Sequence, residues 1–120
     1  MIKNLLLVGL GGFFGSMLRY LVWYFQKTQI FPVSTLIVNI TGSLVIGVVI
    51  GLSIRQPEFS NNWKLFLATG LCGGFTTFSA FSIENLQLLM DGKYPSAILY
   101  ISISVISGIA AAWLGFKIVS

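Results

Sequence analysis

The sequence predicts an all-α membrane protein, a bundle of four transmembrane helices in which the third helix is broken. Of the 120 residues, 56% are hydrophobic and 8% are charged, and the mean hydropathy is +0.92. The apolar residues fall into four blocks. Each block reaches the ~20 residues that cross ~30 Å of hydrocarbon. The segments between the blocks are polar, rich in turn residues and too short to fold alone.

The four predicted spans form one integral membrane domain over residues 1–120. They cover residues 5–25, 33–54, 63–90 and 94–116. Lys3 precedes the first apolar run, as in a secretory signal peptide. That run is longer than a signal h-region and lacks a small-residue cleavage site, so we expect it to remain as the first span.

The first span carries a stripe of small residues followed by an arginine. Gly11, Gly15 and Ser16 share one helical face and allow another helix to approach closely. We interpret the glycines as structural. Arg19 lies ~22 Å along the helix, near enough to the far interface for its side chain to reach water. For Arg19, an interfacial anchor and a functional role both remain open.

The second span places the amide side chain of Asn39 inside the membrane. Polar groups in hydrocarbon are costly unless they face a partner or water. An amide offers two donor hydrogens and an acceptor oxygen. Asn39 can therefore link two helices or hold a desolvated anion, and the sequence leaves both interpretations open.

The third predicted span is too long and too rich in glycine for one straight helix. Its ~28 residues would extend ~42 Å, beyond the bilayer core. Within it, Gly73 and Gly74 are followed closely by Thr76 and Thr77. We predict a break near the two glycines. Freed carbonyls at such a break are tolerated where they line a cavity or bind ions.

Two further helix faces carry residues that can line a pore. Phe78, Phe81 and Glu84 recur every three residues after the predicted break and so share a face. Packing alone would explain two phenylalanines there. In the fourth span, hydroxyl side chains align at four-residue spacing, with one more beside them, and could form a polar ladder. These residues are Tyr100, Ser104 and Ser107.

Composition excludes several classes of function. The sequence has no histidine, which excludes Ser-His and Cys-His nucleophiles and imidazole metal sites. The three acids, Glu58, Glu84 and Asp91, belong to different segments, which disfavours paired-carboxylate hydrolysis. The single Cys72 allows no intrachain disulfide. Because the basic residues are scattered, no nucleic-acid footprint forms. We expect a membrane transporter or structural protein and no enzyme.

The flanking charges give a weak orientation signal. With four crossings, both termini share a side with the second loop. The basic residues are Lys3, Arg55, Lys64 and Lys117 on that side, and Lys27 and Lys93 on the other. Insertion in both orientations and a single orientation with cytoplasmic termini are therefore both open.

Three motifs resemble those of the Fluc (CrcB) family of fluoride channels, in order and over essentially the whole chain. They are Gly-Gly-x-x-Gly-x-x-x-Arg-Tyr at residues 11–20, Thr-Leu-x-x-Asn-x-x-Gly at 35–42, and Gly-x-Cys-Gly-Gly-x-Thr-Thr-Phe-Ser-x-Phe-Ser at 70–82. The third is long and highly specific. The resemblance implies a channel through which fluoride leaves the cell passively across the cell membrane, protecting the cell from fluoride.

The resemblance also implies an assembly and a set of site residues. Family members are antiparallel, dual-topology homodimers in the lipid bilayer, with two pores and a structural sodium ion (Na+) at the dimer centre. The sodium ligands map to the backbone carbonyls of Gly73 and Thr76. The fluoride pore maps to Asn39, Phe78, Phe81, Tyr100 and Ser104, with Thr77, Ser79, Glu84 and Ser107 in its vicinity.

Three positions depart from the family pattern. Ser34 stands where glycine is frequent, Ala80 where threonine or serine is frequent, and Gly108 where a hydroxyl residue often continues the polar track. The Ala80 change is expected to affect the transport rate most, because it removes a hydroxyl close to the implied pore.

Two other functions are known for small membrane proteins of this kind. A small multidrug-type antiporter also has four helices, but it depends on a glutamate in its first span, and here that span has Arg19 and no acid. A non-conducting accessory subunit would explain the glycine stripes. It would not explain the combination of Asn39 with Phe78 and Phe81.

Overall fold

The computed structural model describes residues 1–26, 33–59 and 61–120, and these residues are helical apart from short turns and one extended dipeptide. The α-helices are α1 (Ile2–Gln26), α2 (Val33–Arg55), α3 (Asn61–Lys64), α4 (Gly73–Phe75), α5 (Phe78–Met90) and α6 (Tyr94–Val119), and a π-helix (Leu65–Cys72) joins α3 to α4. Among the described residues, α1, α2, the third span Asn61–Met90 and α6 are long and apolar enough to cross a membrane. The predicted all-α class with four long apolar helical segments is confirmed.

Helices α2 and α6 form the most extensive pair in the bundle. Glycines line their seam where the two backbones come close. A Cβ atom on Gly115 would lie 3.1 Å from the Val48 nitrogen, and one on Gly51 would lie 3.0 Å from the Phe116 carbonyl oxygen. Between membrane helices, close backbone packing replaces the hydrophobic drive that operates in water. These glycines therefore fix how near α6 lies to α2.

Helix α1 packs against the first half of the third span. Gly11 and Gly15 are its buried residues. A Cβ atom on Gly11 would lie 2.7 Å from the Leu71 nitrogen, and one on Gly15 would lie 2.8 Å from the Phe75 nitrogen. The stripe of small residues in the first span thus faces the π-helix and α4.

The π-helix was not predicted from the sequence. It covers the eight residues Leu65–Cys72, with the composition Leu-Phe-Leu-Ala-Thr-Gly-Leu-Cys. Apolar composition does not distinguish a π-helix from an α-helix. Such wider turns are rare and occur frequently next to functional sites. Here the π-helix directly precedes the segment that carries the candidate site.

Of the connections between the spans, the third is a tight hydrogen-bonded turn. The predicted first loop, residues 26–29, lies almost entirely outside the described residues. The third loop ends α5 with Gly92 at φ +73°, a left-handed conformation that glycine adopts without strain. The Lys93 N–H donates to the Leu88 carbonyl at 2.8 Å, which satisfies a free carbonyl at the helix end.

Candidate functional site

The helical conformation of the third span is interrupted at Thr76 and Thr77. Both residues are extended, with φ −81° and ψ 156° at Thr76 and φ −148° and ψ 124° at Thr77. The sequence placed the break near Gly73 and Gly74, and the extended residues lie three positions further along the chain. Gly73 has helical angles, φ −61° and ψ −40°, and both glycines belong to α4.

The threonine hydroxyls bond to backbone groups on both sides of the break. Thr76 Oγ1 donates to the Cys72 carbonyl at 2.9 Å. Thr77 Oγ1 accepts from the Ala80 N–H at 3.1 Å and so caps the start of α5. Threonine side chains compete for backbone groups in this way, whereas glycine has no side chain to offer.

The Asn39 amide on α2 holds the extended segment in place. Its Oδ1 accepts from the Thr77 N–H at 2.8 Å, and its Nδ2 donates to the Thr77 carbonyl at 3.2 Å. One side chain thereby satisfies both backbone groups of Thr77. The amide nitrogen carries a second hydrogen. Asn39 therefore links two helices and still keeps one donor for another acceptor.

The hydrogen bonds around the break free two backbone carbonyls. In a continuous α-helix, the Gly73 carbonyl would accept from the Thr77 N–H, and the Thr76 carbonyl from the Ala80 N–H. Here these N–H groups donate to Asn39 Oδ1 and Thr77 Oγ1. The carbonyls of Gly73 and Thr76 thus lose their helical donors.

Gly73 and Thr76 both line a cavity of about 330 Å³ together with Asn39. A Cβ atom on Gly73 would meet no atom within 4 Å, so the space in front of this glycine is open. Within the described residues, no cluster of three acidic, histidine or cysteine side chains could hold a metal ion. A cation in this cavity would therefore rest on carbonyl and hydroxyl oxygens, the ligands that hard cations prefer.

A second cavity, of about 280 Å³, lies next to the break and is called the phenylalanine cavity. Phe78, Phe81, Ser104 and Asn39 are among the residues that line it. The two phenyl rings lie 5.8 Å apart between centroids and are tilted by 42°. Phe78 leaves 78% of its surface exposed. The Ser104 hydroxyl is buried and has no hydrogen-bond partner within the described part of the chain.

Glu84 joins α5 to α2 and α6 through hydroxyl groups. Thr35 Oγ1 donates to one carboxylate oxygen at 2.6 Å, and the Tyr100 hydroxyl donates to the other at 2.8 Å. Tyr100 is 0% exposed, and its ring lies 5.1 Å from that of Phe81. A carboxylate only accepts hydrogen bonds. At Tyr100, the hydroxyl group of the predicted polar ladder therefore donates its hydrogen to Glu84.

Arg19 lines a third cavity, of about 190 Å³, together with Thr35 and Glu84. Its Nε donates to the Gly74 carbonyl at 3.1 Å. In a continuous helix that carbonyl would accept from the Phe78 N–H. An interfacial anchor would not need this bond. Arg19 thus caps the end of α4 from a neighbouring helix.

Ser79 and Ser107, the serines predicted in the vicinity of the pore, lie outside the cavity that Ser104 lines. The Ser107 hydroxyl donates to the Ile103 carbonyl of its own helix. Ser79 Oγ lies 3.3 Å from Thr77 Oγ1. Neither serine lines the phenylalanine cavity, where the α6 residues are Ser104 and Val105.

Sequence reasoning did not identify Thr35 as a site residue. Thr35 lies one helical turn before Asn39, so both side chains face the third span from α2. Thr35 is buried, and its partner Glu84 lies 49 positions away in the chain. The four-residue spacing within the second motif was the one available signal for its role.

Known proteins resemble this chain over nearly its whole length. The family model described as CrcB-like protein, Camphor Resistance (CrcB), matches residues 6–116. The fluoride-specific ion channel FluC of Azobacteroides pseudotrichonymphae is 45% identical over 119 residues, which cover 97% of this chain and 95% of that protein. FluC of Flavobacterium psychrophilum is 48% identical over 121 residues, covering 97% and 96%, and FluC of Phocaeicola vulgatus is 52% identical over 116 residues, covering 94% and 95%. This chain therefore belongs to the CrcB family.

Proposed function

We propose that this protein is a fluoride-selective channel that exports fluoride passively across the cell membrane and thereby protects the cell from fluoride. The relatives described above are named fluoride-specific ion channels. The phenylalanine cavity carries the proposal. Polar donors and two phenyl rings meet there within membrane spans, and none of the side chains that line it is charged.

The chemistry of this cavity suits a small, strongly hydrated anion. A pore must replace the water around fluoride with other donors without holding the ion too firmly. The second Nδ2 hydrogen of Asn39 and the Ser104 hydroxyl can both donate. The positive edges of Phe78 and Phe81 add weak contacts. With no lysine or arginine in the lining, no fixed cation traps the ion.

The Arg19 cavity is proposed as the entrance to this pore. Thr77 lines both this cavity and the phenylalanine cavity, so the extended segment lies where the two meet. The guanidinium attracts an anion, and two hydroxyl donors offset the charge of the Glu84 carboxylate. Tyr100 has a single O–H and can donate to a passing fluoride only by turning away from Glu84.

We further propose that the channel is an antiparallel homodimer of dual topology with two pores. The exposed ring of Phe78 and the open cavities at the break are surfaces that a second copy would complete. The weak charge bias between the two sides of the membrane is compatible with both orientations.

A sodium ion at the dimer centre would be held by the carbonyls of Gly73 and Thr76. Support comes from the loss of their helical donors and from the open space in front of Gly73. A fixed cation there would link the two breaks and lower the cost of bringing an anion into the membrane.

Fluoride efflux from liposomes tests the proposal. Vesicles that contain the purified protein should release fluoride, retain chloride and need no proton gradient. Strict coupling to protons would favour the antiporter alternative, although α1 contains no acidic residue. Equal chloride flux would rule out selectivity, and no flux of either ion would favour an accessory subunit.

A further inference from the structure

An apolar groove lies between α1 and the start of the third span, away from the proposed pore. It has a volume of about 320 Å³ and is lined by Leu7 and Leu10 on one side and by Asn62, Trp63 and Phe66 on the other. The Trp63 and Phe66 rings meet edge to face, 6.2 Å apart and at 88°. None of these five residues lines the cavities at the break.

The groove begins at the surface of the membrane and runs inward. The third span starts at Asn61, so Asn62 and Trp63 belong to its first turn. Leu7 and Leu10 lie in the second and third turns of α1. Tryptophan prefers the headgroup zone of a bilayer. Trp63 and Leu10 are 58% and 53% exposed, so the groove is open on its outer side.

A lysine lies on α1 one helical turn before the groove. Lys3 precedes Leu7 by four residues and Leu10 by seven, so the three side chains share one face of α1. Lys3 is exposed and long enough to reach the headgroup zone. From the surface inward, the order of groups is the Lys3 ammonium, then the Asn62 amide and the Trp63 indole, and then aliphatic and phenyl side chains.

The side of the bundle on which the groove opens is predominantly positive. Among the described residues, this side of the bundle carries Lys3, Arg55, Lys64 and Lys117 and one acid, Glu58. Basic residues next to a membrane attract anionic lipid headgroups. A ligand with an anionic head and a long apolar tail would complement the groove at both ends.

We propose that this groove is a binding site for an anionic phospholipid of the phosphatidylglycerol type. The phosphate contacts Lys3, with Asn62 and the Trp63 indole beside it, and an acyl chain lies along Leu7, Leu10 and Phe66. The site does not depend on the proposed transport of fluoride. A second copy of this chain fits the groove less well, because the surfaces left open at the break lie on other faces of the third span.

Quenching of Trp63 fluorescence by brominated lipids tests this site. Trp23 and Trp113 are replaced by phenylalanine, so that Trp63 alone reports. The protein is placed in phosphatidylcholine vesicles that contain an equal mole fraction of either brominated phosphatidylglycerol or brominated phosphatidylcholine. We expect brominated phosphatidylglycerol to associate about fivefold more strongly at Trp63, as for one lysine at an anionic surface.

Three variants show whether the preference belongs to the groove. Lys3→Gln should abolish it, and Lys3→Arg should keep it. Lys64→Gln removes the same charge from the same side but leaves unchanged the α1 face that carries Lys3, Leu7 and Leu10, and should leave most of the preference. Equal loss in Lys3→Gln and Lys64→Gln would show diffuse surface attraction and overturn the site. Equal quenching by the two lipids would also overturn it, and quenching by neither would show that protein covers the groove.

Discussion

Replacing Asn39 with aspartate separates the structural role of this amide from its proposed contact with the ion. Aspartate has nearly the same size and still accepts the hydrogen bond that the Thr77 N–H donates at 2.8 Å. It loses the donor that reaches the Thr77 carbonyl at 3.2 Å. It also places a negative charge at the wall of the phenylalanine cavity. The substitution therefore keeps one of the two bonds to Thr77 and changes the ion path strongly.

The two effects differ in size. Losing one net hydrogen bond costs about 1 kcal/mol of folding free energy. A carboxylate and a fluoride about 4 Å apart repel each other by about 4 kcal/mol at an effective dielectric constant of about 20. Since 1.36 kcal/mol corresponds to a factor of ten in rate, fluoride flux should fall by roughly a thousandfold.

The measurement is fluoride efflux from liposomes that carry Asn39→Asp, compared with the parent protein. Size-exclusion profiles in detergent establish that the variant keeps the oligomeric state of the parent. Asn4→Asp makes the same substitution at an exposed position at the start of α1 and should leave flux unchanged. If Asn39→Asp folds normally and conducts like the parent, Asn39 serves only to link α2 to the break.

Three further predictions test other parts of the site. Phe78→Ile and Phe81→Ile keep apolar bulk without an aromatic edge, so fluoride efflux should collapse while the assembly survives. Methionine should reduce efflux less than isoleucine in at least one of the two positions, and normal efflux in both isoleucine variants would make these rings packing residues. The Gly74→Ala variant should unfold in detergent at a lower temperature than the Gly73→Ala variant, because only a Cβ atom at Gly74 would crowd the Gly12 backbone, 2.6 Å from its carbonyl oxygen. A bulky residue at Gly73 should disrupt the assembly and the flux, and intact flux would place the cation elsewhere. Tags on the termini should report from both sides of the membrane, and uniformly cytoplasmic tags would contradict dual insertion.

Hydropathy was sufficient to predict the four-span class, because the bilayer requires long apolar segments whose backbone groups are satisfied within each helix. The small-residue stripe at Gly11 and Gly15 predicted a close approach by another helix. It did not name the neighbour. The order of spans along the chain is compatible with several pairings, and only the structure places the π-helix and α4 against α1.

The position of the break could not be read from local propensity. Glycine disfavours helix formation because it loses more conformational freedom on folding than other residues, yet Gly73 and Gly74 are helical here. Backbone groups at the break are instead bonded by side chains from other helices. Asn39 lies 38 positions from Thr77, and Arg19 lies 55 positions from Gly74. Contacts over such distances depend on the packed bundle and leave no periodic signal in the sequence.

Side chains at the site replace several of the helical hydrogen bonds that the break gives up. Asn39 accepts from the Thr77 N–H, the Thr77 hydroxyl accepts from the Ala80 N–H, and Arg19 donates to the Gly74 carbonyl. Because these N–H groups donate to side chains, the carbonyl oxygens of Gly73 and Thr76 are left without helical donors at the break.

All three side chains that make these replacements also line the cavities proposed for the ion, and Thr77 lines both. Arg19 lines the entrance cavity and Asn39 the phenylalanine cavity. Truncating either to alanine would therefore disturb the fold and the ion path together. Phe78 and Ser104 are different, because an exposed ring and a hydroxyl without a partner among the described residues contribute little to the hydrogen bonding of the break. A loss of flux at these two positions, with the assembly intact, is the observation that would tie the cavity itself to conduction.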